Sequence, residues 1–284
     1  RRNSKFQGPF EAQFRRSICA CRGFTLLELV VAMAVSGIVL LGIYTSHSLQ
    51  QDTLRNQSMV VDTQQNLRGA LTLIQQDLLM AGYDPGATDR FGFEEITRAQ
   101  DSSRITFNGD FGTGSDGDNG FPDASESIAY YLWDSPDTET IGNFDLCREQ
   151  NGTPHLMATG IEAMEMAFAY DNDGDGELDN NGGAVIWAID SDGDGVLDRN
   201  LDDNADGQID VGDTPGGVPL ADVVDWDAIR AVRIWLLGRT ESVVRSRQYT
   251  DQNTYVVGGR RITPDDKFQR RLLTTTIRLR NMGI

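Results

Sequence analysis

The feature that most constrains this chain is an apolar run near its N-terminus, which extends from Phe24 to Tyr44 and contains one charged residue, Glu28. As an α-helix these 21 residues would span about 31 Å, the thickness of one bilayer core. Residues 1–23 carry a net charge of +5 and residues 24–284 a net charge of −23. Because the cytoplasmic flanks of membrane helices carry excess arginine and lysine, we expect a cytoplasmic N-terminus and an external body.

The composition of the chain excludes several classes of function. The sequence has 43 acidic and 25 basic residues, so it lacks the basic face that nucleic acid binding requires. Two histidines and three cysteines are too few for a histidine-rich metal site or a disulfide scaffold. No G-x-S-x-G, H-E-x-x-H or glycine-rich phosphate loop occurs, and we therefore expect no enzymatic activity.

Two simple interpretations of the apolar run are a secretory signal peptide and a plain membrane anchor. A signal peptide would be cleaved after Ala32-Met33-Ala34, which would leave the apolar residues 35–43 at the new terminus. A plain anchor gives no role to Glu28. A carboxylate within a membrane helix costs about 2.5–3.5 kcal/mol on insertion scales, so it indicates a function and a partner.

The residues Gly23-Phe24-Thr25-Leu26-Leu27-Glu28 resemble the processing site of type IV prepilins and of type II secretion pseudopilins. The resemblance implies that residues 1–23 are a leader, and that a prepilin peptidase cleaves after Gly23 and methylates the new terminal Phe24. It also implies that Glu28 meets the terminal amine of Phe24 on a neighbouring subunit and sets the register between subunits. Opposite charges attract strongly at low dielectric, and neither is tolerated there alone.

A helical period continues beyond the apolar run. One apolar stripe is formed by residues spaced three, four or seven apart: Val60, Leu67, Leu71, Ile74 and Leu78. Gly82 followed by Tyr83-Asp84-Pro85 predicts the end of the helix near Ala81. The sequence therefore predicts a helix over residues 24–81, with 24–44 in the membrane, and a head over residues 82–284. The alternative is a membrane span and a separate helix, bent near Gly37 or Gly42.

The head is predicted to consist of antiparallel strands separated by loops rich in glycine, aspartate and asparagine. Alternating or apolar segments predict strands at Arg104–Phe107, Ser127–Trp133, Ile161–Tyr170, Val185–Ile189, Ile229–Leu237 and Leu272–Leu279. Met164, Met166, Phe168 and Trp235 are expected in the core. The predicted fold class is α+β, a long N-terminal helix packed on an antiparallel sheet, with aspartate-rich calcium loops inserted.

Parts of the head resemble PilW-type minor pilins, namely Leu146-Cys147-Arg148, residues 160–171 and residues 268–281. The resemblance implies a structural subunit that sits in the bacterial inner membrane with a periplasmic head and then joins a type IV pilus at the cell surface. Its partners would be other pilins and minor pilins, whose assembly it primes or caps. The alternatives are a type II secretion pseudopilin of the J kind and a calcium-dependent tip adhesin.

Three segments of the head share one spacing of acidic residues, at 171–179, 190–198 and 202–210. Each has oxygen-bearing side chains at positions 1, 3, 5 and 9, glycine at position 6 and an aliphatic residue at position 8. This pattern matches the first nine residues of an EF-hand calcium loop, in which position 7 binds through its carbonyl. The candidate ligands are Asp171, Asp173, Asp175, Glu177 and Asp179; Asp190, Asp192, Asp194, Val196 and Asp198; and Asp202, Asn204, Asp206, Gln208, Asp210 and Asp213.

The repeats depart from an EF-hand at position 12, where a bidentate glutamate is usual. That position is Gly182 in the first repeat, Leu201 in the second and Asp213 in the third. The repeats therefore resemble thrombospondin type 3 or dockerin-like calcium loops, and Asp202 is a possible shared ligand of the second repeat. Residues 171–213 contain 14 acidic residues and one basic residue, so we expect two to three Ca²⁺ ions. The alternative is a solvated acidic loop.

Overall fold

The computed structural model describes residues 23–88, 90–98, 103–110, 120–133, 144–245 and 249–282. Residues 1–22 of the predicted leader lie outside the described residues. The chain divides into two compact units, residues 1–51 and residues 52–284. One helix, α1, extends from Leu26 to Leu78, against a prediction of 24–81, because residues 79–82 form a turn that ends with Gly82 at a φ of 70°.

The part of α1 within the first unit is mostly apolar as far as Tyr44, and its large apolar side chains are exposed. Leu27 is 73% exposed and Ile38 71% exposed. Among the described residues, α1 is the one helix that is long and apolar enough to cross a membrane. Such exposure is unfavourable in water and fits a helix that is covered by lipid or by other chains.

The remainder of α1 lies in the second unit and buries the predicted stripe. The side chains of Leu67, Ala70, Leu71, Ile74 and Leu78 are buried against the sheet. Val60, at the N-terminal end of the stripe, is half-buried. The spacing of these residues places them on one face of the helix, which leaves the opposite face in solvent.

The sheet of the second unit has ten strands, and all of its pairings are antiparallel. Its first five strands pair in chain order. The fifth of these strands is long enough to pair with a later strand as well. These five are β1 (Phe93–Arg98), β2 (Ser103–Asn108), β3 (Ser127–Trp133), β4 (Phe144–Gln150) and β5 (Thr153–Tyr170).

Five two-residue strands follow β5 in the chain and flank the aspartate repeats. They are β6 (Asn180–Asn181), β7 (Ala184–Val185), β8 (Ala188–Ile189), β9 (Arg199–Asn200) and β10 (Val218–Pro219). β8 joins the sheet through Phe168 of β5 and pairs with β9, which pairs with β10. After a 3-10 turn at Trp226–Ala228, the elements are β11 (Ile229–Arg239), the hairpin β12 (Tyr255–Val257) and β13 (Arg260–Ile262), and β14 (Arg270–Arg278).

The sheet is covered on both faces, and each face has its own apolar core. Met164, Met166 and Phe168 of β5 pack in the inner core with α1. The alternate residues Ala163, Ala167 and Ala169 pack in the outer core, which contains Trp187, Ile189, Leu201, Trp235, Leu237 and Val257. Because successive side chains of a strand point to opposite faces, β5 contributes to both cores. The outer core is covered by the repeat region and by the β12–β13 hairpin.

The predicted α+β class is confirmed, and β2, β3, β11 and β14 lie where strands are predicted, to within two residues at each end. The predicted strand Ile161–Tyr170 is only the second half of β5, which begins at Thr153. The predicted strand Val185–Ile189 is instead the two short strands β7 and β8, since residues 186 and 187 lie between them. The prediction also missed β1, β4, β6, β9, β10 and the β12–β13 hairpin. The presence of calcium in the repeats stays a prediction.

Asp77 joins the end of α1 to the sheet and is the subject of our first prediction. Its Oδ2 accepts hydrogen bonds from the Tyr130 hydroxyl and from Nε of Arg148, both at 2.6 Å. Burial and the bond to Asp77 raise the pKa of Tyr130. We expect Asp77→Ala to lower the free energy of unfolding by about 2–4 kcal/mol, because a half-buried guanidinium loses its counter-ion.

The measurement is urea unfolding of the detergent-solubilised chain, followed by tryptophan fluorescence. Asp62→Ala is the matched control, since Asp62 is an exposed carboxylate of the same helix whose hydrogen bond from Ser58 is 3.4 Å long. Its effect should stay within about 0.5 kcal/mol. Equal effects of the two substitutions would contradict the role of Asp77.

Candidate assembly site and candidate calcium loops

The N-terminus of α1 forms a local cap around Glu28. The Thr25 hydroxyl accepts a hydrogen bond from the Glu28 amide at 3.2 Å, and the Glu28 carboxylate lies 3.4 Å from the Thr25 amide. This reciprocal arrangement is a capping box, which satisfies amides at a helix start. Phe24 is 80% exposed, and Glu28 makes no salt bridge with another described residue. The Glu28 carboxylate accepts hydrogen bonds from both the amide and the hydroxyl of Thr25.

The three repeats adopt one backbone conformation. Positions 4 and 6 are left-handed in each repeat, with φ between 60° and 88°, in Gly174 and Gly176, Gly193 and Gly195, and Ala205 and Gly207. Left-handed φ is strained for any residue with a Cβ, so glycine is favoured at these positions. Ala205 is the exception and adopts the same turn without glycine. The common spacing in sequence is therefore a common loop in space.

The aspartate at position 1 of each loop is buried and follows a strand of the sheet. Asp171, Asp190 and Asp202 are 6%, 3% and 1% exposed. In each, Oδ2 accepts a hydrogen bond from the amide at position 6, at 3.1, 3.0 and 2.8 Å respectively. Asp171 directly follows β5, Asp190 directly follows β8, and Asp202 lies two residues after the end of β9. The sheet thus holds one carboxylate rigidly at the base of each loop.

The carboxylates at positions 3 and 5 of the first two loops converge on the buried one. Carboxylate oxygens of Asp171, Asp173 and Asp175 lie within 4.8 Å of one another, as do those of Asp190, Asp192 and Asp194. The side chains at positions 3 and 5 are exposed, and each accepts a hydrogen bond from the amide two residues later. Three carboxylates at this separation repel one another, and a hard cation with oxygen ligands would relieve that repulsion.

The third loop has fewer carboxylates at its tip, and no three of its described carboxylates converge within 4.8 Å as those of the other two loops do, but it has a second buried carboxylate at its base. Asn204 occupies position 3, while Asp213, at position 12, is 5% exposed. Asp213 accepts hydrogen bonds from the amides of Asp203 at 3.3 Å and Asp210 at 2.9 Å. Burial and the negative charge of Asp202 raise the pKa of Asp213. Oδ1 of Asp202 is buried without a hydrogen-bond donor among the described residues.

The aliphatic residues at position 8 anchor the loops in the two cores. Leu197 is fully buried in the inner core, and Leu178 and Ile209 pack against the outer core. Each loop therefore places polar oxygens on one side and an apolar side chain on the other. The loop conformation is tied to the packing of the sheet.

The structure separates Asp202 from the second loop, which corrects the idea of a shared ligand. β8 and β9 form an antiparallel pair in which Ala188 lies opposite Asn200. The second loop connects these strands at one end of the pair, and Asp202 follows β9 at the other end. At position 12 of the second loop, Leu201 is buried in the outer core. Asp202 belongs to the third loop alone.

Arg261 is a residue of the site that sequence reasoning missed. It lies on β13, outside the repeats, and its Nη2 donates hydrogen bonds to the carbonyls of Val211, at 2.9 Å, and Asp213. No spacing links Arg261 to the third loop, because the contact crosses 48 residues of sequence. Only the folded structure brings the two together.

Comparisons with known proteins identify two regions of the chain. The family model described as Type IV Pilus-assembly protein W matches residues 130–281, and the prokaryotic N-terminal methylation motif matches residues 19–44. No curated protein sequence matches the chain. Among solved structures, a type IV-like pilin from Thermus thermophilus is similar at a TM-score of 0.39 and 11% identity, over 78% of this chain and 97% of that chain.

Proposed function

Because the chain belongs to the type IV pilus-assembly protein W family, we propose that it is a minor pilin that primes or caps a type IV pilus. The observation that carries the proposal is the family match over more than half of the chain, combined with the methylation motif at the start of α1. The family is one of structural pilins and not of enzymes. Its partners in this role are other pilins and minor pilins.

The proposed maturation begins in the bacterial inner membrane. A prepilin peptidase removes residues 1–23 and methylates the amine of Phe24, while residues 24–44 cross the membrane once. The head, residues 82–284, is periplasmic and reaches the cell surface with the filament. The charge difference between residues 1–23 and the rest of the chain supports this orientation.

In the filament, Glu28 pairs with the terminal amine of Phe24 of a neighbouring subunit. The exposed carboxylate of Glu28 and the exposed Phe24, which precedes α1 by two residues, support this pairing. Inside a filament core the surroundings are apolar, so an unpaired Glu28 would be costly and a paired one sets the register.

The three loops are proposed to bind two to three Ca²⁺ ions that stabilise the head. The donors are carboxylates, amide oxygens and the backbone carbonyls of Glu177, Val196 and Gln208, with no histidine or cysteine nearby. Such hard oxygen donors suit calcium better than zinc or copper. Asp179, Asp198 and Asp210 at position 9, together with Asp213, complete the candidate ligands.

Mass spectrometry of purified filaments from the native host tests the proposed function. We expect the chain in pilus fractions together with other pilins. Recovery in type II secretion filaments, and not in pili, would overturn the proposal in favour of a pseudopilin of the J kind. Binding of the chain to surfaces without its incorporation into filaments would favour an adhesin.

Substitution of Glu28 tests the pairing within the filament. Glu28→Val should insert into the membrane at least as well as the wild type, because a charge is removed from an apolar segment. Its incorporation into sheared filaments should fall about tenfold or more, since the loss of an ion pair at low dielectric exceeds 1.4 kcal/mol.

Quantitative immunoblots of membrane and filament fractions measure both effects. Glu28→Asp is the matched control, since it keeps the charge and should retain part of the incorporation. Wild-type incorporation of Glu28→Val would show that this subunit does not need the pairing.

A further inference from the structure

We propose that the third loop is the primary calcium site of the head, and that its ion, bound by Asp202, Asp206 and Asp213, holds the β12–β13 hairpin on the outer face of the sheet. This inference rests on the proposed calcium binding and extends it. It ranks the three loops and assigns one of them a mechanical role.

Asp202 has an unsatisfied carboxylate oxygen, unlike the corresponding aspartates of the other two loops. In the first and second loops, Oδ1 of the position-1 aspartate accepts a hydrogen bond from the position-4 amide, at 2.8 Å in Asp171 and 2.7 Å in Asp190. In the third loop Oδ1 of Asp202 has no such donor and is buried. A buried anionic oxygen without a donor is strongly unfavourable, so it points to a cation at this position.

No described cation of the chain neutralises Asp202. Arg233 interacts electrostatically with Asp202 at longer range, but it makes no salt bridge with Asp202. Its guanidinium lies 4.0 Å from the centre of the Trp187 ring, and its Nε donates to Thr276. Asp213, the other buried carboxylate of the loop, adds to the negative charge. Two buried carboxylates on one loop require an external cation more than the partly exposed clusters do.

Of the three loops, the third alone has an acidic residue at position 12. In EF-hand loops position 12 closes the coordination sphere of calcium. The first two loops have Gly182 and buried Leu201 there, so each lacks that ligand. Each loop has four carboxylates among its candidate side-chain ligands, at positions 1, 3, 5 and 9 of the first two loops and at positions 1, 5, 9 and 12 of the third. Charge therefore does not rank the loops, but two of the carboxylates of the third loop are buried, and calcium affinity also depends on the rigidity of the site. The third loop is therefore expected to bind most tightly.

Asp213 would connect the ion to the β12–β13 hairpin. Asp213 would bind the ion through its side chain, while its backbone carbonyl accepts a hydrogen bond from Arg261 of β13. The Gly216 amide also donates to the Gly259 carbonyl at 2.7 Å. On the other side of the hairpin, Val257 is fully buried in the outer core. Order in the third loop is thus transmitted to the hairpin, which covers that core.

The test compares matched exposed residues at position 5, Asp206 in the third loop and Asp194 in the second. Calcium titration calorimetry is performed on the full mature chain in detergent, with wild type, Asp206→Asn and Asp194→Asn. Asp206→Asn should weaken the tightest binding step by about tenfold or more, and Asp194→Asn should leave that step nearly unchanged. Both residues are exposed, so neither substitution disturbs a core.

Hydrogen exchange measured in calcium tests the link to the hairpin. Amides of residues 255–262 should exchange faster in Asp206→Asn than in Asp194→Asn. Arg261→Gln should speed their exchange while leaving the tightest binding step intact.

The outcomes separate the inference from the proposed calcium binding. Absence of calcium binding in the wild type would overturn both. Normal binding with equal losses in Asp194→Asn and Asp206→Asn would overturn the ranking alone. Unchanged exchange of the hairpin in Arg261→Gln would overturn the mechanical link.

Discussion

Replacement of Gly23 by phenylalanine is expected to leave the leader attached in nearly every molecule and to exclude the chain from filaments. The reason lies in the peptidase and not in the fold, because a Cβ at Gly23 would meet no atom within 4 Å. Only recognition of the cleavage site is altered. Peptide mapping by mass spectrometry should find a methylated Phe24 terminus in the wild type and a continuous peptide across residues 22–28 in the variant.

Gly37→Leu provides the matched control for this substitution. A Cβ at Gly37 also meets no atom within 4 Å, but this glycine lies within the apolar run and away from the cleavage site. We therefore expect normal processing of Gly37→Leu. A wild-type terminus at Val35 would contradict the prediction and establish an ordinary signal peptide.

Removal of calcium is expected to lower the melting temperature of the head by about 5–10 °C. Calcium that binds only the folded state stabilises it by about 2.7 kcal/mol at a hundredfold excess over Kd. For a unit of this size each kcal/mol shifts the midpoint by about 2–4 °C. The comparison is a thermal melt of the full mature chain in detergent with millimolar calcium and with chelator. Limited proteolysis in chelator should cut first between Asp171 and Asp213.

Two variants and one ion make the calcium experiment specific. Asp192→Ala with Asp194→Ala should remove part of the calcium-dependent shift and leave the melting temperature in chelator almost unchanged. Asp265→Ala with Glu241→Ala removes two exposed charges outside the loops and should keep the full shift. Magnesium should substitute poorly, because it demands a strict octahedron. A melting temperature and a proteolysis pattern that do not change with calcium would contradict metal binding. They would indicate that the repeats are a solvated acidic loop.

The long helix and β14 are predictable because one periodicity dominates each of them. The stripe from Leu67 to Leu78 and the alternation in β14 both reflect burial of one face. β11 is predictable as a short apolar run, because its side chains are buried on both faces of the sheet. β8 and β9 are not predictable, since two residues carry no period. Their pairing depends on the end of β5 and on backbone bonds such as that from Leu201 to Trp187.

The aspartate loops, like the fold, can be predicted from the sequence only in part. Glycine at position 6 and acidic residues at alternate positions predict the loop conformation locally, and this conformation is observed. Burial of Asp202 and Asp213, by contrast, depends on how β9 and the hairpin surround the third loop. Glu165 is a further example, since this buried carboxylate is paired with Arg98 and Arg260 from distant elements. Contacts between residues that are distant in the chain produce no recognisable spacing in the sequence.

The position-8 residues Leu178, Leu197 and Ile209 make the repeats part of the wall of the head. Loss of ions and loss of residues are consequently different kinds of damage. An ion can leave and return, whereas deletion of the repeats would uncover Trp235 and Leu237 on an apolar face of the sheet. A chain without the repeats would need polar side chains on that face. The repeats can lose their metal, but the head cannot readily lose the repeats.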